Sequence, residues 1–323
     1  MRDIRIAAAQ FEHKNADPSF NLSRIDALTK QAVAAGAEVV SFHECCLSAY
    51  SFVQAFSKAE LLDVAEPVPD GPSVQALMEL SREHGVPLLA GLFERRREAD
   101  GEDNVYNTYV CVDGNRLVAK FSKLHAFVNP HLSSGSEYVV FDLLRCRCSI
   151  LICYDNNLVE NVRSVTLKGA EVVFMPHVTG CLPSVMPGRG VVDPELWANR
   201  DRDPVRLRQE FQGPKGRGWL MRWLPARAYD NGIYAVFTNP IGLDDGEVRN
   251  GNAMVLDPFG EVIAECDKLG DDVTVALCTP EKIDQSSGRR YIRARRVDLY
   301  DELVKPSNEP PVTQPGWTLR TTR

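Results

Sequence analysis

The sequence predicts an α/β protein built as a four-layer α-β-β-α sandwich, in a single domain with a C-terminal arm. Short apolar strands alternate with amphipathic helical segments over most of its 323 residues. Hairpin signals lie among the helices, which indicates mixed sheets rather than one parallel sheet. Hydrophobic residues make up 44% of the chain, enough to fill a core between two sheets.

The first half of the chain supplies strands and helices in turn. The predicted strands are Ile4–Phe11, Ala37–Phe42, Val86–Phe93, Tyr106–Val112 and Leu117–Phe121, and the helices are Leu22–Ala35 and Val74–His84. Gly36 and Gly85 directly follow the two helices, as glycine commonly does at a helix end. Between the last two strands, Asp113-Gly114-Asn115 predicts a hairpin turn.

The second half of the chain also alternates strands and helices, and this alternation ends at Thr279. Its predicted strands are Tyr138–Phe141, Cys148–Cys153, Glu171–Pro176, Tyr234–Asn239, Ala253–Leu256, Val262–Glu265 and Val273–Leu277, and its helices are Val159–Lys168 and Trp219–Asn231. The domain is therefore expected to cover residues 1–280, with an inserted loop at about 180–218. Residues 281–323 are expected to form an arm, with Trp317 packed on another subunit because an apolar ring is costly in water.

Composition and charge exclude several classes of protein. A net charge of −7 and a pI near 5.5 argue against a general nucleic-acid binder, which would show a basic footprint. No apolar run is long enough to span a bilayer. The first residues lack the apolar core of a secretory signal. We therefore expect a cytoplasmic protein with neither nucleic-acid nor membrane partners.

Nine cysteines at irregular positions make a poor disulfide framework in such a chain. No C-x-x-C pair exists. The densest group, Cys146, Cys148 and Cys153, follows a strand pattern that would point ligands to different faces, so a zinc site is disfavoured. The cysteines are expected to be mostly small buried hydrophobic residues, and the protein is expected to need no metal and no cofactor.

Three chemically active side chains each follow a predicted strand. Cys153 ends an apolar strand and precedes a polar turn, a placement that exposes a nucleophile and leaves the next backbone N–H groups free. Glu44 and Lys123 also come at strand ends. Taken singly, each has an ordinary interpretation: a buried cysteine, a solvated acid and a solvated lysine. His125 and His177 are rival bases for a Cys–His pair.

Taken together, the three positions resemble the nitrilase, or carbon–nitrogen hydrolase, superfamily. The stretches that carry the resemblance are Phe42-His43-Glu44, Lys123-Leu124-His125 and Leu151-Ile152-Cys153-Tyr154-Asp155. Supporting matches are Gly169-Ala170-Glu171-Val172-Val173, Arg227-Ala228-Tyr229-Asp230-Asn231 with Tyr234 and Asn239, and Gly251 leading to Asp257-Pro258-Phe259-Gly260. Each motif is short, but their order and spacing make the set specific.

The resemblance implies an α-β-β-α fold of the nitrilase type and a Glu-Lys-Cys triad. Glu44 would take the thiol proton of Cys153, and the thiolate would attack a carbonyl or nitrile carbon. Lys123 and the backbone N–H of Tyr154 would stabilise the oxyanion before water hydrolyses the thioester. Relatives generally associate through helix faces and C-terminal tails, so a homodimer or larger homo-oligomer is expected.

The residues after the nucleophile favour one branch of the superfamily. Cys153-Tyr154-Asp155 looks like the amidase and N-carbamoyl hydrolase branches, whereas true nitrilases commonly read Cys-Trp-Glu. A small-molecule amide or carbamoyl compound is therefore the expected substrate, with ammonia or an amine released. A nitrile is the second alternative, and acyl transfer from the same thioester is the third. An inactive binding or scaffold homologue is the alternative from another class.

The sequence departs from the superfamily pattern in several places. Residues 126–135 contain no acid where many members carry a second glutamate. Either Asn129 or His131 substitutes for it, or the role is absent, which bears on how Lys123 is positioned. Asp155 and His177 are further candidates for supporting roles. Asn156-Asn157 stands where amidase-like relatives often show an arginine that grips a substrate carboxylate, and Asp230 stands where a glutamate is usual. The insertion at 180–218 either covers the active site or is a solvated surface excursion.

Overall fold

The computed structural model describes residues 1–306. Its helices are α1 (Pro18–Ala34), α2 (Lys58–Val64), α3 (Pro72–His84), α4 (Val159–Leu167), α5 (Pro194–Ala198), α6 (Pro204–Gln212), α7 (Arg217–Leu220), α8 (Leu224–Asn231), α9 (Pro280–Gln285) and α10 (Ser287–Arg293). Its strands are β1 (Ile4–Gln10), β2 (Val39–Ser41), β3 (Leu88–Arg97), β4 (Asp103–Asp113), β5 (Arg116–Ser122), β6 (Leu132–Ser133), β7 (Val140–Leu143), β8 (Cys146–Ile150), β9 (Val172–Pro176), β10 (Tyr234–Thr238), β11 (Ile241–Asp244), β12 (Glu247–Asn250), β13 (Met254–Leu256), β14 (Val262–Glu265) and β15 (Asp272–Cys278).

The strands form two large mixed sheets, as the hairpins among the helices predict. The first has the order β15-β1-β2-β3-β4-β5, with β6 beside β4, and the second has the order β14-β13-β10-β9-β8-β7. Three parallel strands stand at the centre of each sheet, β1-β2-β3 in the first and β8-β9-β10 in the second, and antiparallel strands flank them. A small hairpin of β11 and β12 stands apart from both.

Side chains point alternately to the two faces of each strand, and packing on both faces produces four layers. In β1, Ile6 and Ala8 face a core shared with the second sheet, while Ala7 and Ala9 face the opposite side and pack with α1 and α3. The core between the sheets also contains Phe174 of β9. Residues of α4 and α8 pack against the second sheet. The α-β-β-α sandwich predicted from the sequence is confirmed.

Two predicted helical boundaries differ from the structure. The predicted helix Trp219–Asn231 is divided into α7 and α8, because Pro225 lacks an N–H group and lies in the first turn of α8. Beyond Thr279, where the predicted pattern of strands and helices ends, the structure has two more helices, α9 and α10. These two helices are short and largely polar, so helical periodicity is faint, yet Gly288 of α10 packs closely against the end of α8.

The C-terminal arm expected at residues 281–323 therefore begins as ordered helix. Two turns of 3-10 helix, Val297–Leu299 and Asp301–Val304, follow α10. The expectation for Trp317 falls outside the described residues. Over residues 1–306, the structure contains no helix with both the length and the apolar character needed to cross a bilayer.

The insertion at 180–218 forms a small folded unit rather than a solvated excursion. Its helices α5 and α6 contribute Trp197 and Phe211 to a separate apolar cluster with Val248 of the β11–β12 hairpin. The indole Nε1 of Trp197 also donates to Glu12 Oε1 over 3.0 Å. The insertion is thereby fixed to the end of β1 as well as to the hairpin.

Candidate active site

Three predicted strand-end residues lie together in the interior of the protein. Glu44 follows β2, Lys123 follows β5, and Cys153 follows β8, so both sheets contribute. The Lys123 ammonium donates to Glu44 Oε1 over 2.7 Å, and both side chains are fully buried. The Sγ of Cys153 lies 4.0 Å from the carbonyl oxygen of Val178, whose N–H donates to Glu44 Oε2 over 2.9 Å. We call these three residues the catalytic cluster.

Glu44 is held by three donors from three parts of the chain. Besides Lys123 and Val178, the amide of Asn107 donates to Glu44 Oε1 over 2.6 Å. Asn107 lies in the middle of β4, where the strand pattern gives no reason to single it out. Because Oε1 accepts two hydrogen bonds and Oε2 only one, Oε2 keeps the larger remaining capacity to accept a proton.

Cys153 stands at a sharp turn between strand and helix. Its backbone has a φ of 51°, in the left-handed region, and it opens the 3-10 helix Cys153–Asn156. The first N–H groups of a helix have no acceptor within that helix. The N–H of Tyr154 is therefore suitably placed in the chain to serve an oxyanion formed beside the thiol. The turn has the character of a nucleophile elbow.

Asp155 ties the nucleophile turn to the segment that follows Lys123. Its carboxylate accepts from the backbone N–H groups of Leu124, over 3.1 Å, and His125, over 3.0 Å. The His125 ring contacts the same carboxylate over 2.7 Å through Nδ1. Asp155 thus fixes Lys123 and Cys153 relative to one another. His125, one of the rival bases, is engaged by Asp155 rather than by the thiol.

His177 is buried next to the catalytic cluster but does not hydrogen-bond to Cys153. Its Nε2 lies 3.2 Å from the amide nitrogen of Asn156, and its ring packs against Phe237 and Trp223. Burial, with a smaller contribution from Lys123, lowers the pKa of His177 well below its usual value. Within residues 1–306, no histidine is hydrogen-bonded to the Cys153 thiol, so the geometry does not favour a Cys–His pair.

The structure places neither Asn129 nor His131 beside Lys123, contrary to the expected substitution for the second glutamate. Asn129 is buried and donates to the carbonyl oxygens of Val53 and Phe56, each over 2.8 Å. Its remaining oxygen accepts from the backbone N–H of His131, whose side chain is exposed. These hydrogen bonds use both polar side-chain atoms of Asn129, and the side chain of His131 faces solvent.

Aromatic groups surround Lys123 instead. The hydroxyl of Tyr50 lies 3.4 Å from the ammonium, and the ring of Phe127 has its centroid 4.6 Å away. An ammonium beside an aromatic ring is stabilised by the ring quadrupole. Burial raises the pKa of Tyr50 well above its usual value, so its phenol stays neutral. Sequence reasoning missed Tyr50, which lies in an irregular segment without a recognisable pattern.

Burial and charge set the resting protonation states of the cluster. Burial, followed by the charge of Glu44, raises the pKa of Cys153 to about 12, so the resting group is a thiol. For Lys123, burial opposes the charge, but Cys153 and Glu44 outweigh it and raise the pKa of Lys123 well above its usual value. A buried thiol beside a carboxylate and a fixed ammonium is the arrangement of an enzyme that generates its nucleophile by proton transfer.

All nine cysteines, which lie within the described residues, are buried and unpaired. Cys153 is distinguished from Cys148, for example, by its place beside Glu44 and Lys123 rather than by burial. The prediction that most cysteines act as small core residues is confirmed.

A buried cysteine at a strand end, with a carboxylate and a lysine from two other strand ends, is a set of side chains typical of hydrolases that use a cysteine nucleophile. Comparison with known sequences agrees with that class. The carbon-nitrogen hydrolase family matches residues 5–287, and the chain belongs to this family.

Curated relatives align along nearly the whole chain. A nitrilase of Pyrococcus abyssi is 26% identical over 95% of this chain and 98% of its own length. An (R)-stereoselective amidase of Pseudomonas sp. is 28% identical over 94% of this chain and 95% of its own length. An N-carbamoylputrescine amidase of Arabidopsis thaliana is 26% identical over 94% and 96% of the two chains.

Solved structures show the same fold. A mutant of the Nesterenkonia AN1 amidase from the nitrilase superfamily superposes with a TM-score of 0.68 at 22% identity, covering 93% of this chain and 97% of the other. The nitrilase-type sandwich in a single domain is therefore the fold of this protein.

Proposed function

We propose that this protein hydrolyses the carbon–nitrogen bond of a small amide or N-carbamoyl compound through a thioester on Cys153. The observation that carries the proposal is the buried contact of Glu44 with Lys123 and with Val178, the residue that also lies against the Cys153 thiol. This contact supports the proposal, because a base, a cation and a nucleophile would then lie within reach of one carbonyl group.

The chemistry begins with a proton transfer. Glu44 accepts the thiol proton as the Cys153 sulfur attacks the carbonyl carbon, because the resting group is a thiol with a pKa of about 12. The carbonyl oxygen gains negative charge, which the Lys123 ammonium and the N–H of Tyr154 stabilise. Glu44 then returns the proton to the leaving nitrogen, and ammonia or an amine departs. The acyl group remains on sulfur.

Hydrolysis of the thioester completes the cycle. Glu44 takes a proton from water, the resulting hydroxide attacks the thioester carbon, and the sulfur leaves and recovers the proton. Splitting the reaction at the thioester replaces one difficult displacement by two easier steps. No step needs a cofactor or a metal ion.

Amide chemistry is favoured over nitrile hydrolysis by two points. The sequence after the nucleophile is Cys153-Tyr154-Asp155, and Asp155 holds the turn in place through the backbone of Leu124 and His125. Amidases and carbamoyl amidases stand among the relatives. Nitrile hydrolysis stays the second candidate because one relative is named a nitrilase.

Replacing the nucleophile tests the proposal. Cys153→Ala is expected to lower ammonia release from amides, N-carbamoyl compounds and nitriles to below a few per cent of wild type, while circular dichroism and the melting temperature stay close to wild type. Cys148→Ala, which alters another buried thiol near the same strand, serves as the matched control and keeps its activity. Intact-mass measurement with a slow substrate should show one acyl group on wild type and none on Cys153→Ala. Substantial turnover by Cys153→Ala would refute the mechanism.

Three further expectations belong to this proposal, on localisation, oligomeric state and partners. We expect a cytoplasmic enzyme that forms a homodimer or larger homo-oligomer and has neither nucleic-acid nor membrane partners. The net charge of −7 supports the absence of nucleic-acid binding. Light scattering coupled to size-exclusion chromatography measures the oligomeric state directly.

A further inference from the structure

An aromatic ladder runs outward from the catalytic cluster into the insertion. The His177 ring packs on Trp223 with centroids 5.6 Å apart, and Trp223 packs on Trp219 at 5.7 Å. The guanidinium of Arg189 lies over the Trp219 ring, 3.9 Å from its centroid. We call these four residues the aromatic ladder. It begins one residue before Val178, which contacts both Glu44 and Cys153.

Three nitrogen atoms of the aromatic ladder are buried and have no hydrogen-bond partner among residues 1–306. They are His177 Nδ1, Trp223 Nε1 and Arg189 Nε. The indole and guanidinium nitrogens are donors by their chemistry. Buried polar groups are nearly always satisfied in proteins, so three orphans along one contiguous series of side chains call for an explanation.

The orphan nitrogen of His177 is also a donor. Asn156 Nδ2 donates to the carbonyl oxygen of Leu151 over 2.7 Å, which fixes the orientation of the amide. The same nitrogen faces His177 Nε2 at 3.2 Å, so Nε2 is the acceptor. The imidazole is neutral because burial lowers its pKa well below the usual value. Its single hydrogen therefore sits on Nδ1, and all three nitrogens offer hydrogen to an acceptor that residues 1–306 do not supply.

Arg189 also differs in its ion pairing from two other cationic residues, Lys215 and Arg217. Lys215 is ion-paired with Glu210, and Arg217 with Glu265. Within residues 1–306, no carboxylate lies within ion-pair distance of the Arg189 guanidinium, although the side chain is half-buried. Burial lowers the pKa of Arg189 from its usual value, which reflects the cost of holding this charge without an acid. A planar guanidinium fixed on an indole ring is a preorganised binder of carboxylates.

Resting on the proposed function, we propose that Arg189 receives a carboxylate of the substrate. The enzyme would then prefer amides or N-carbamoyl compounds that carry a free carboxylate at the end remote from the scissile bond. The donors of Trp223 and His177 serve acceptor atoms along the substrate between Arg189 and Cys153. The insertion thus supplies the cation that is absent at Asn156-Asn157, the place where amidase-like relatives often show an arginine.

Matched substrates test this proposal in the wild-type enzyme. Monoamides of the dicarboxylic acids from succinic to suberic are compared with neutral alkyl amides of the same chain length, such as glutaric acid monoamide with pentanamide. At the best chain length, kcat/KM for the acid should exceed that for the neutral amide by about 10- to 100-fold, the usual worth of a charged hydrogen bond. A preference for the neutral amide at every length would overturn the proposal.

Variants of Arg189 then test whether this residue causes the preference for the acid over the neutral amide. Arg189→Gln should reduce the acid-to-neutral ratio of kcat/KM to near one, mainly through KM for the acid. Arg200→Gln is the matched control, because Arg200 also stacks on an indole of the insertion, that of Trp197 at 4.2 Å, but packs beside Glu12 and the β11–β12 hairpin. Arg200→Gln should leave the ratio unchanged. An unchanged ratio in Arg189→Gln would overturn the assignment.

A second variant covers the case in which Arg189→Gln does not fold. Arg189→Lys keeps the charge but not the planar stack, and it should lower the ratio to an intermediate value; an unchanged ratio would count against the proposal. Hydrolysis of the neutral amide separates the cysteine mechanism from the carboxylate site. If its hydrolysis survives Cys153→Ala, the cysteine mechanism fails. If its hydrolysis requires Cys153 while the acid gains no advantage, only the carboxylate site fails.

Discussion

Two buried carboxylates, Glu44 and Asp244, each face a buried cation, but their remaining hydrogen bonds differ. Asp244 accepts from the backbone and hydroxyl of Ser51, from His13 and twice from Arg249, at 2.6–3.1 Å. Within residues 1–306, Glu44 accepts from Asn107, Lys123 and Val178. Asp244 is therefore saturated and serves as a clamp, whereas Glu44 Oε2, which accepts from the Val178 backbone, keeps capacity to accept a proton.

The two cations reinforce this difference. Arg249 retains its charge at any pH that a protein experiences, while a buried lysine such as Lys123 is able to lose its proton when its partner is removed. Arg249 and His13, against the effect of burial, hold the pKa of Asp244 well below its usual range. The comparison indicates that a buried ion pair suits proton transfer when its carboxylate can still accept hydrogen bonds. It suits stability when every acceptor position of the carboxylate is occupied.

Glu44→Gln should give the largest loss of activity. The amide keeps the shape of the side chain but does not accept the thiol proton, so kcat should fall by about 10³-fold, as expected for loss of a general base. Steady-state ammonia release measures this effect. Glu94→Gln is the control, because Glu94 is a buried carboxylate paired with Arg96 and Lys120 outside the catalytic cluster. Glu44→Gln with activity within tenfold of wild type would contradict the role of Glu44 as base.

Asp244→Asn should affect stability rather than chemistry. Removing the charge leaves Arg249 buried with a weaker partner, which should lower the free energy of unfolding by about 3–5 kcal/mol, measured by urea denaturation. Asp245→Asn, at the exposed neighbouring turn position, should change the same free energy by less than about 0.5 kcal/mol. Glu44→Gln should destabilise less than Asp244→Asn, because Lys123 is able to deprotonate.

The pH dependence of the Asp244 contribution has a definite sign. The folded-state pKa of Asp244 lies below the ordinary value of 3.8, so the carboxylate stabilises the fold above that value, and the contribution is lost only as pH falls below it. The stability difference between wild type and Asp244→Asn should consequently stay constant from neutral pH down to about 4. A difference that shrinks well above that pH would show that Asp244 is not clamped as described.

His131→Ala should have the smallest effect of these changes. Its side chain is exposed, and only its backbone N–H takes part in the loop, so kcat and KM should both stay within about twofold of wild type, the range of a surface substitution. Steady-state kinetics measures both constants. A strong loss of kcat would mean that the loop moves during turnover and brings His131 to Lys123.

Sequence reasoning grouped Glu44, Lys123 and Cys153 because each follows an apolar strand and the three together resemble the nitrilase superfamily; the structure brings them together, and their catalytic roles stay a prediction. Asn107 carries no such signal, because it lies within β4 and its hydrogen-bond partner Glu44 is 63 positions away in the sequence. His13 and Asp244 meet through contacts that span most of the chain, which no local pattern reveals. Helices α9 and α10 escaped prediction because neither has an apolar stripe: α9 buries the single side chain of Ile283, and α10 is held by close backbone packing at Gly288.

The left-handed backbone at Cys153 has an evolutionary consequence. A residue with a side chain pays about 1–2 kcal/mol to occupy this region, whereas glycine occupies it freely. In a lineage that no longer needed the reaction, glycine or asparagine at this position would relieve that strain and would be favoured by selection for stability alone. If Cys153 has the proposed role, the thiol occupies this position against the conformational preference of the chain, and its loss should be an early event when a descendant of this protein gives up catalysis.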